Sequence, residues 1–275
     1  MKPYLELRKR RELGDILSDT FTFARINSKA LIPVLIKTTG IFFLINLLFS
    51  AVYQYASMEN MAISNTGFFF GTLFLMLLGS LLYYASASAA IYSFMDNYTE
   101  TKGLVNPDQI IQNSRSKMIN LLLLGVMVYF VLIIGFLFFL IPGIYLLVPV
   151  AICFPILIFR NLGKRDSFQA SFKLVSGYWW VTFGTLLVVG IVIGIISIVF
   201  SLPPTIYLSL KTLAVESGES TGMSGDFIFL ILSTLSSAVS NLLSIFIIIA
   251  VGLIYFDLDE EKNKTGIRAK LEELG

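Results

Sequence analysis

Residues 118–162 read MINLLLLGVMVYFVLIIGFLFFLIPGIYLLVPVAICFPILIFRNL, with a single charge, Arg160, close to the end. A helix crosses a hydrocarbon core of roughly 30 Å with about 20 apolar residues, so about 40 in series are too many for one span. Ile141-Pro142-Gly143 interrupts the run, and Pro followed by Gly is strong turn punctuation. The stretch therefore reads as a tight helical hairpin of two spans, Met118–Leu140 and Ile144–Leu162. Outward from it lie four more apolar runs of spanning length: Ala30–Val52, Phe68–Met95, Trp179–Phe200 and Phe227–Phe256. The expected fold is all-α, a polytopic membrane bundle of six transmembrane helices. Residues 1–275 form one integral membrane domain in this reading: a basic N-terminal segment (1–29), the bundle (30–256) and a charged tail (257–275).

Composition agrees. Of 275 residues, 56% are hydrophobic and 14% charged, with a mean hydropathy of +0.81. Soluble domains carry about 25% charged residues, so this chain could not clothe a water-facing surface. It contains no His, which removes imidazole as metal ligand, general base or proton relay. The one Cys, Cys153, can form no intrachain disulfide. No Gly-rich phosphate loop, metal-ligand spacing or Ser/His/Asp set occurs. The expectation is a protein that is not an enzyme and needs neither cofactor nor metal.

Charge placement sets the orientation. With both termini cytoplasmic, 18 of the 20 basic residues fall inside, leaving Lys211 outside and Lys37 within the first span. Adding or removing one span would scramble that pattern. The opening MKPYLELRKRRELG is not followed at once by a short apolar run with a cleavage site, so a cleaved signal peptide is not expected.

Three segments suit helices lying in the cytoplasmic interface. Leu13, Ile16, Leu17, Phe21 and Ala24 recur at helical spacing before the first span. Phe168, Phe172 and Val175 do so before the fifth, where Trp179 and Trp180 mark headgroup depth. Ile110, Ile111 and Ser114 form a weaker copy before the third, so the chain reads as three loosely related units. In the tail, Ile267, Leu271 and Leu274 share one face of a short charged helix that would dock on the protein's own collar or on a cytoplasmic partner.

Pro142-Gly143-Ile144-Tyr145, followed by Ser171, Leu174-Val175, Gly177 and Trp179-Trp180, resembles a superfamily of bacterial multi-pass proteins. That superfamily includes YciC-like proteins and the membrane domain attached to some glycerophosphoryl diester phosphodiesterases. The match is specific over about 50 residues and general elsewhere. It implies a multi-pass domain of the bacterial inner (plasma) membrane. It carries over no phosphodiesterase chemistry, because in the fused proteins a separate barrel with His and acidic ligands supplies that.

Lys37 is the one ionisable group well inside a span, and an intramembrane charge is a functional candidate by default. The competing reading is that it snorkels to the interface. Ser233, Ser237, Ser240, Asn241 and Ser244 stripe the sixth span, suited either to a substrate path or to close packing with interhelical hydrogen bonds. Lys37, Ser233, Ser237 and Asn241 are therefore the candidate ligand or lipid contacts. Gly190 and Gly194 form a GxxxG, and Ala85, Ser86, Ala89 and Ala90 a second small-residue face. Pro149 and Pro155 each deprive a carbonyl, on Tyr145 or Ala151, of its helical donor. The Gly/Ser-rich stretch Glu216–Gly225 reads as a mobile outer loop.

No Asp or Glu lies within a drawn hydrocarbon stretch, which argues against proton coupling. The basic run Arg8–Arg11 and Arg160, Lys164 and Arg165 would meet anionic inner-leaflet lipids, not nucleic acid. The expected role is a membrane scaffold or accessory subunit acting by helix packing and contact with the lipid bilayer, with a membrane or cytoplasmic protein as partner. The alternative is a transporter or lipid-handling protein, not proton-coupled, with a path near spans 4 and 6.

Overall fold

The computed structural model describes residues 4–58, 65–138, 140–217 and 226–274, all-α and without a strand among them. The helices are α1 (Leu13–Met58), α2 (Thr66–Glu100), α3 (Pro107–Phe138), α4 (Leu140–Phe159), α5 (Lys164–Val175), α6 (Trp179–Glu216), α7 (Phe227–Asn263) and α8 (Thr265–Leu274). Six of them, α1–α4, α6 and α7, are long and apolar enough to cross a membrane. Most of the six are longer than the roughly 20 residues a span requires. The 46 residues of α1 extend about 69 Å at 1.5 Å per residue.

That length changes two of the three interfacial segments. Leu13–Ala24 continues without a break into the first span as part of α1. Ile110–Ser114 is likewise the opening of α3. No Gly or Pro separates either segment from its span, so the helix has no reason to stop. Before the fifth span a separate helix, α5, does form, because Ser176-Gly177 ends it and Gly177 adopts a φ of +85°. The face it buries is Ser167, Ser171, Leu174 and Val175. Phe168 and Phe172 lie beside that face, stacked edge to face at 5.1 Å. Small serines let α5 lie close to α4, and Ser171 returns its hydroxyl to the Phe168 carbonyl at 2.8 Å.

The α3–α4 hairpin is present, with its turn displaced. Helix α3 runs to Phe138 and α4 begins at Leu140, so Pro142 and Gly143 lie in α4's first turns. Pro is tolerated there because first-turn amides lack helical acceptors in any case. Gly143 serves a different purpose from the expected turn. A methyl at its Cα would stand 2.5 Å from a Phe136 ring carbon, and one on Gly135 would stand 2.8 Å from Leu146 Cδ1 and 3.4 Å from the Gly143 Cα. The two glycines let the antiparallel helices touch.

The chain packs as two compact units. The first comprises Met1–Thr39, Tyr84–Gly190 and Ile245–Gly275; the second comprises Gly40–Tyr83 and Ile191–Ser244. In the first, Ala85, Ser86, Ala89 and Ala90 are all buried, in keeping with the close-packing face read from sequence. Its core includes Phe23 set edge-on against Phe94 and Tyr98, together with Ile152, Ile156 and Leu253. In the second, Gly79 admits the α1 backbone: a Cβ there would meet Asn46 Cα at 3.2 Å and the Phe49 ring at 3.0 Å. Ser80 donates to Asn46 Oδ1 at 3.2 Å in the same contact. The Gly190/Gly194 pair behaves differently, since a methyl at either position would meet open space. Within one chain that motif does no close packing.

Candidate functional site

Lys37 belongs to the first unit and Ser233, Ser237 and Asn241 to the second. Lys37 is exposed, on the α1 surface that also carries exposed Ile32, Pro33 and Ile36. Its neighbour Thr38 is buried and bonds back to the Val34 carbonyl at 2.7 Å. The ammonium thus sits on the apolar outer side of its helix, where a long stem can carry it toward headgroups.

The α7 stripe is largely self-satisfied. Ser233 donates to the Leu230 carbonyl at 3.1 Å, Ser237 to Ser233 at 2.9 Å and Ser244 to Asn241 at 2.7 Å. Tyr83 of α2 donates to the Asn241 carbonyl, joining two helices of the second unit. A shallow groove of about 430 Å³ lies on another side of α7, lined by Leu47 and Ala51 of α1 with Leu230, Ile231, Thr234, Leu235 and Ala238.

In the first unit an aromatic groove of about 380 Å³ is lined by Ile141, Ile144, Tyr145, Trp179 and Trp180. Tyr145 and Trp179 stack at 5.6 Å, and Trp179 stacks on Phe183 at 5.0 Å. The Trp179 indole donates to the Tyr145 carbonyl at 3.0 Å. That is the carbonyl that Pro149 leaves without its helical donor, so it is satisfied from α6 instead.

The densest polar cluster gathers where α7 leaves its apolar stretch, around Asp257, Asp259, Glu260 and Glu261. Asp257 Oδ1 accepts from the Arg11 amide at 2.8 Å and from Arg10 Nε at 3.1 Å. Arg10 also pairs with Glu261, which accepts from the Tyr178 hydroxyl at 2.7 Å. Asp259 takes Arg160 at 2.8 Å, Asn263 at 2.7 Å and Thr265 at 2.7 Å. Glu260 caps α8 by accepting from the Gly266 amide at 2.6 Å and the Ile267 amide at 3.3 Å. Arg11, its side chain fully buried, donates to Asp19 at 3.0 Å and to the carbonyls of Glu6, Leu7 and Lys9. Burial pulls the Arg11 guanidinium below its ordinary value, while Asp19 pushes back. Burial would also lower Arg160, but Tyr255 and Asp259 outweigh it and raise the guanidinium.

Sequence reading assigned these cations to topology and to contact with anionic inner-leaflet lipids. Lys9, Arg10, Arg11 and Arg160 are instead paired within the protein, which lowers what each has left for lipid phosphate. The signal that could have found their partners was Asp257, Asp259, Glu260 and Glu261, a burst of acid on the basic side. The tail begins to dock on this collar: a methyl on Gly266 would stand 2.7 Å from the Arg8 carbonyl. Ile267 and Leu271 nevertheless stay exposed, and Leu274's side chain lies outside the described residues.

In the second unit Asp226 opens α7. It accepts from the Phe229 amide at 3.1 Å, the Tyr207 hydroxyl at 2.9 Å and Lys211 at 3.1 Å. Burial works against its charge, but the amide, phenol and ammonium outweigh it and hold the carboxyl below the usual range. The loop expected over Glu216–Gly225 lies outside the described residues from 218 onward.

The chain matches no protein-family model, no curated protein and no solved structure. The fold and the geometry therefore stand on this chain alone: all-α, with six helices capable of spanning a membrane among the described residues.

Proposed function

We propose that this chain is a non-enzymatic multi-pass protein of the bacterial inner membrane, both termini cytoplasmic, that serves as a scaffold or accessory subunit. It acts by helix packing and lipid contact, and we group it with the YciC-like proteins on the Leu140–Leu187 motifs. The observation that carries the reading is the direction of its intramembrane polar groups. The Ser233, Ser237 and Ser244 hydroxyls bond into α7's own backbone, and Lys37 lies on the outer side of α1. A transport path would instead gather such groups around a shared polar space. The aromatic groove at Tyr145, Trp179 and Trp180 offers an acyl chain an apolar seat at the depth where Trp favours the interface. Gly190 and Gly194, open within one chain, leave room for a second helix.

Reconstitution tests the proposal. Purified protein in liposomes of bacterial polar lipids, carrying a fluorescent phospholipid in both leaflets, should leave the dithionite-protected fraction equal to that of empty liposomes. Accelerated exchange between leaflets, lost on Ser237→Ala or Asn241→Ala, would favour the lipid-handling alternative and overturn the scaffold.

A further inference from the structure

Helix α2 carries polar side chains in the interior of the first unit that the collar does not explain. Ser88 and Tyr92 are completely buried and stand four residues apart, hence on one face of the helix. Tyr92 is wedged between the Phe159 ring, at 5.7 Å edge to face, and α7, where a methyl on Gly252 would stand 3.3 Å from its Cε1. That packing fixes the phenol, yet its hydroxyl has no hydrogen-bond partner. Ser88 Oγ sits toward the Tyr84 phenol without a hydrogen bond of normal geometry. Elsewhere in these helices serines and threonines bond back to the carbonyl a turn earlier, as Thr99 does to Met95 at 2.7 Å and Ser114 to Ile110 at 2.7 Å. Ser88 does not take that route.

One turn beyond Tyr92, on the same face, stands Asp96, only partly buried. Lys117 of α3, Arg8 of the N-terminal arm and Glu100 are the charged groups that act on it. Asp96 is therefore the partly exposed polar residue that follows Tyr92 and Ser88 along this face of the helix. Buried hydroxyls in a low-dielectric interior need partners, and groups that can both donate and accept suit water. A cation is a poorer occupant, because Lys117 and Arg8 already act on Asp96, the nearest carboxylate along the face.

We propose that the Ser88–Tyr92 face of α2 is an internal hydration site, with water bridging Ser88 Oγ and Tyr92 OH and exchanging past Asp96. The site gives the first unit a wet interior next to α4 and α7, independent of the α7 serine stripe.

Radiolytic hydroxyl labelling of the full chain in lipid nanodiscs, in 18O water, tests this. Tyr98 is the dry reference: 1% exposed, its hydroxyl accepting from the Leu5 amide at 2.8 Å. Tyr92 should incorporate 18O at least tenfold faster than Tyr98, and Ser88→Ala, a mild change inside a helix, should slow Tyr92 labelling severalfold. Tyr92→Phe should lower the melting midpoint. Tyr92 protected as fully as Tyr98, labelling indifferent to Ser88→Ala, or a Tyr92→Phe protein that melts at or above wild type would each overturn the proposal. A lowered midpoint without labelling would identify a protein acceptor and overturn it as well.

Discussion

A single indole takes over one of the two carbonyls that proline orphans in α4. Pro149 removes the amide that would have served the Tyr145 carbonyl. Trp179 Nε1 fills the position at 3.0 Å. Trp179→Phe keeps most of the aromatic stack and removes the donor, so it should destabilise the protein by about 1 kcal/mol. Pro149→Ala restores the helical amide. In that background the same Trp change should cost markedly less, and thermal midpoints of the two singles and the double in detergent measure the coupling. Equal costs in both backgrounds would mean that the indole contributes packing alone. Asp226 supports a pH prediction. Its folded-state value is lowered, so its contribution is complete above the ordinary aspartate pKa of about 3.9 and is lost as pH falls through the lower folded value. The midpoint of the wild type should exceed that of Asp226→Asn at neutral pH, and the gap should close below about pH 4. A gap that persists at lower pH would place the stabilising interaction elsewhere.

At the scale of elements, the contrast lies between glycines that look alike in sequence. Gly143 reads as a turn residue beside Pro142, yet it is the point where α4 meets the Phe136 ring. Gly190 and Gly194 read as a packing motif, yet within one chain they face open space. Gly143→Val should therefore destabilise by about 1–3 kcal/mol through overpacking. Gly190→Ala should be neutral or gain up to about 1 kcal/mol of helix propensity in the isolated protein. Chemical or thermal denaturation in detergent compares the two; a Gly143→Val protein as stable as wild type would remove the close-contact account.

Six apolar runs were legible because hydrocarbon thickness sets the length of a span, and the Pro149 vacancy because one residue abolishes one donor. The joints were less legible. Leu13–Ala24 is amphipathic whether or not it is separate from the span that follows, and only a breaker, such as Gly177 after α5, decides the matter. The candidate residues were the least legible. Lys37 and Ser237 are conspicuous by type, but whether a serine faces a path or its own carbonyl is a rotamer, which spacing does not encode. The collar was missed because orientation counts cations and is nearly blind to Asp and Glu.

For the molecule as a whole, several basic residues tie separate segments together. Arg10, Arg11 and Arg160 are drawn by Asp257, Asp259 and Glu261 into one network that binds the N-terminal arm and the α4–α5 turn to the end of α7. Removing one partner of a part-buried pair leaves the other uncompensated. Asp259→Ala should therefore lower the melting midpoint and speed trypsin cleavage around Lys262 and Lys264. Unchanged cleavage would mean that the tail is held by Glu260 without Asp259. The account rests on this collar lying on the cytoplasmic side of the membrane. Single-cysteine proteins made on a Cys153→Ala background, probed in intact cells with a membrane-impermeant maleimide, test that most directly. Asn65→Cys and Ser217→Cys should label in intact cells, while Glu12→Cys and Arg165→Cys should label only after permeabilisation. Labelling of Glu12→Cys or Arg165→Cys in intact cells would contradict it.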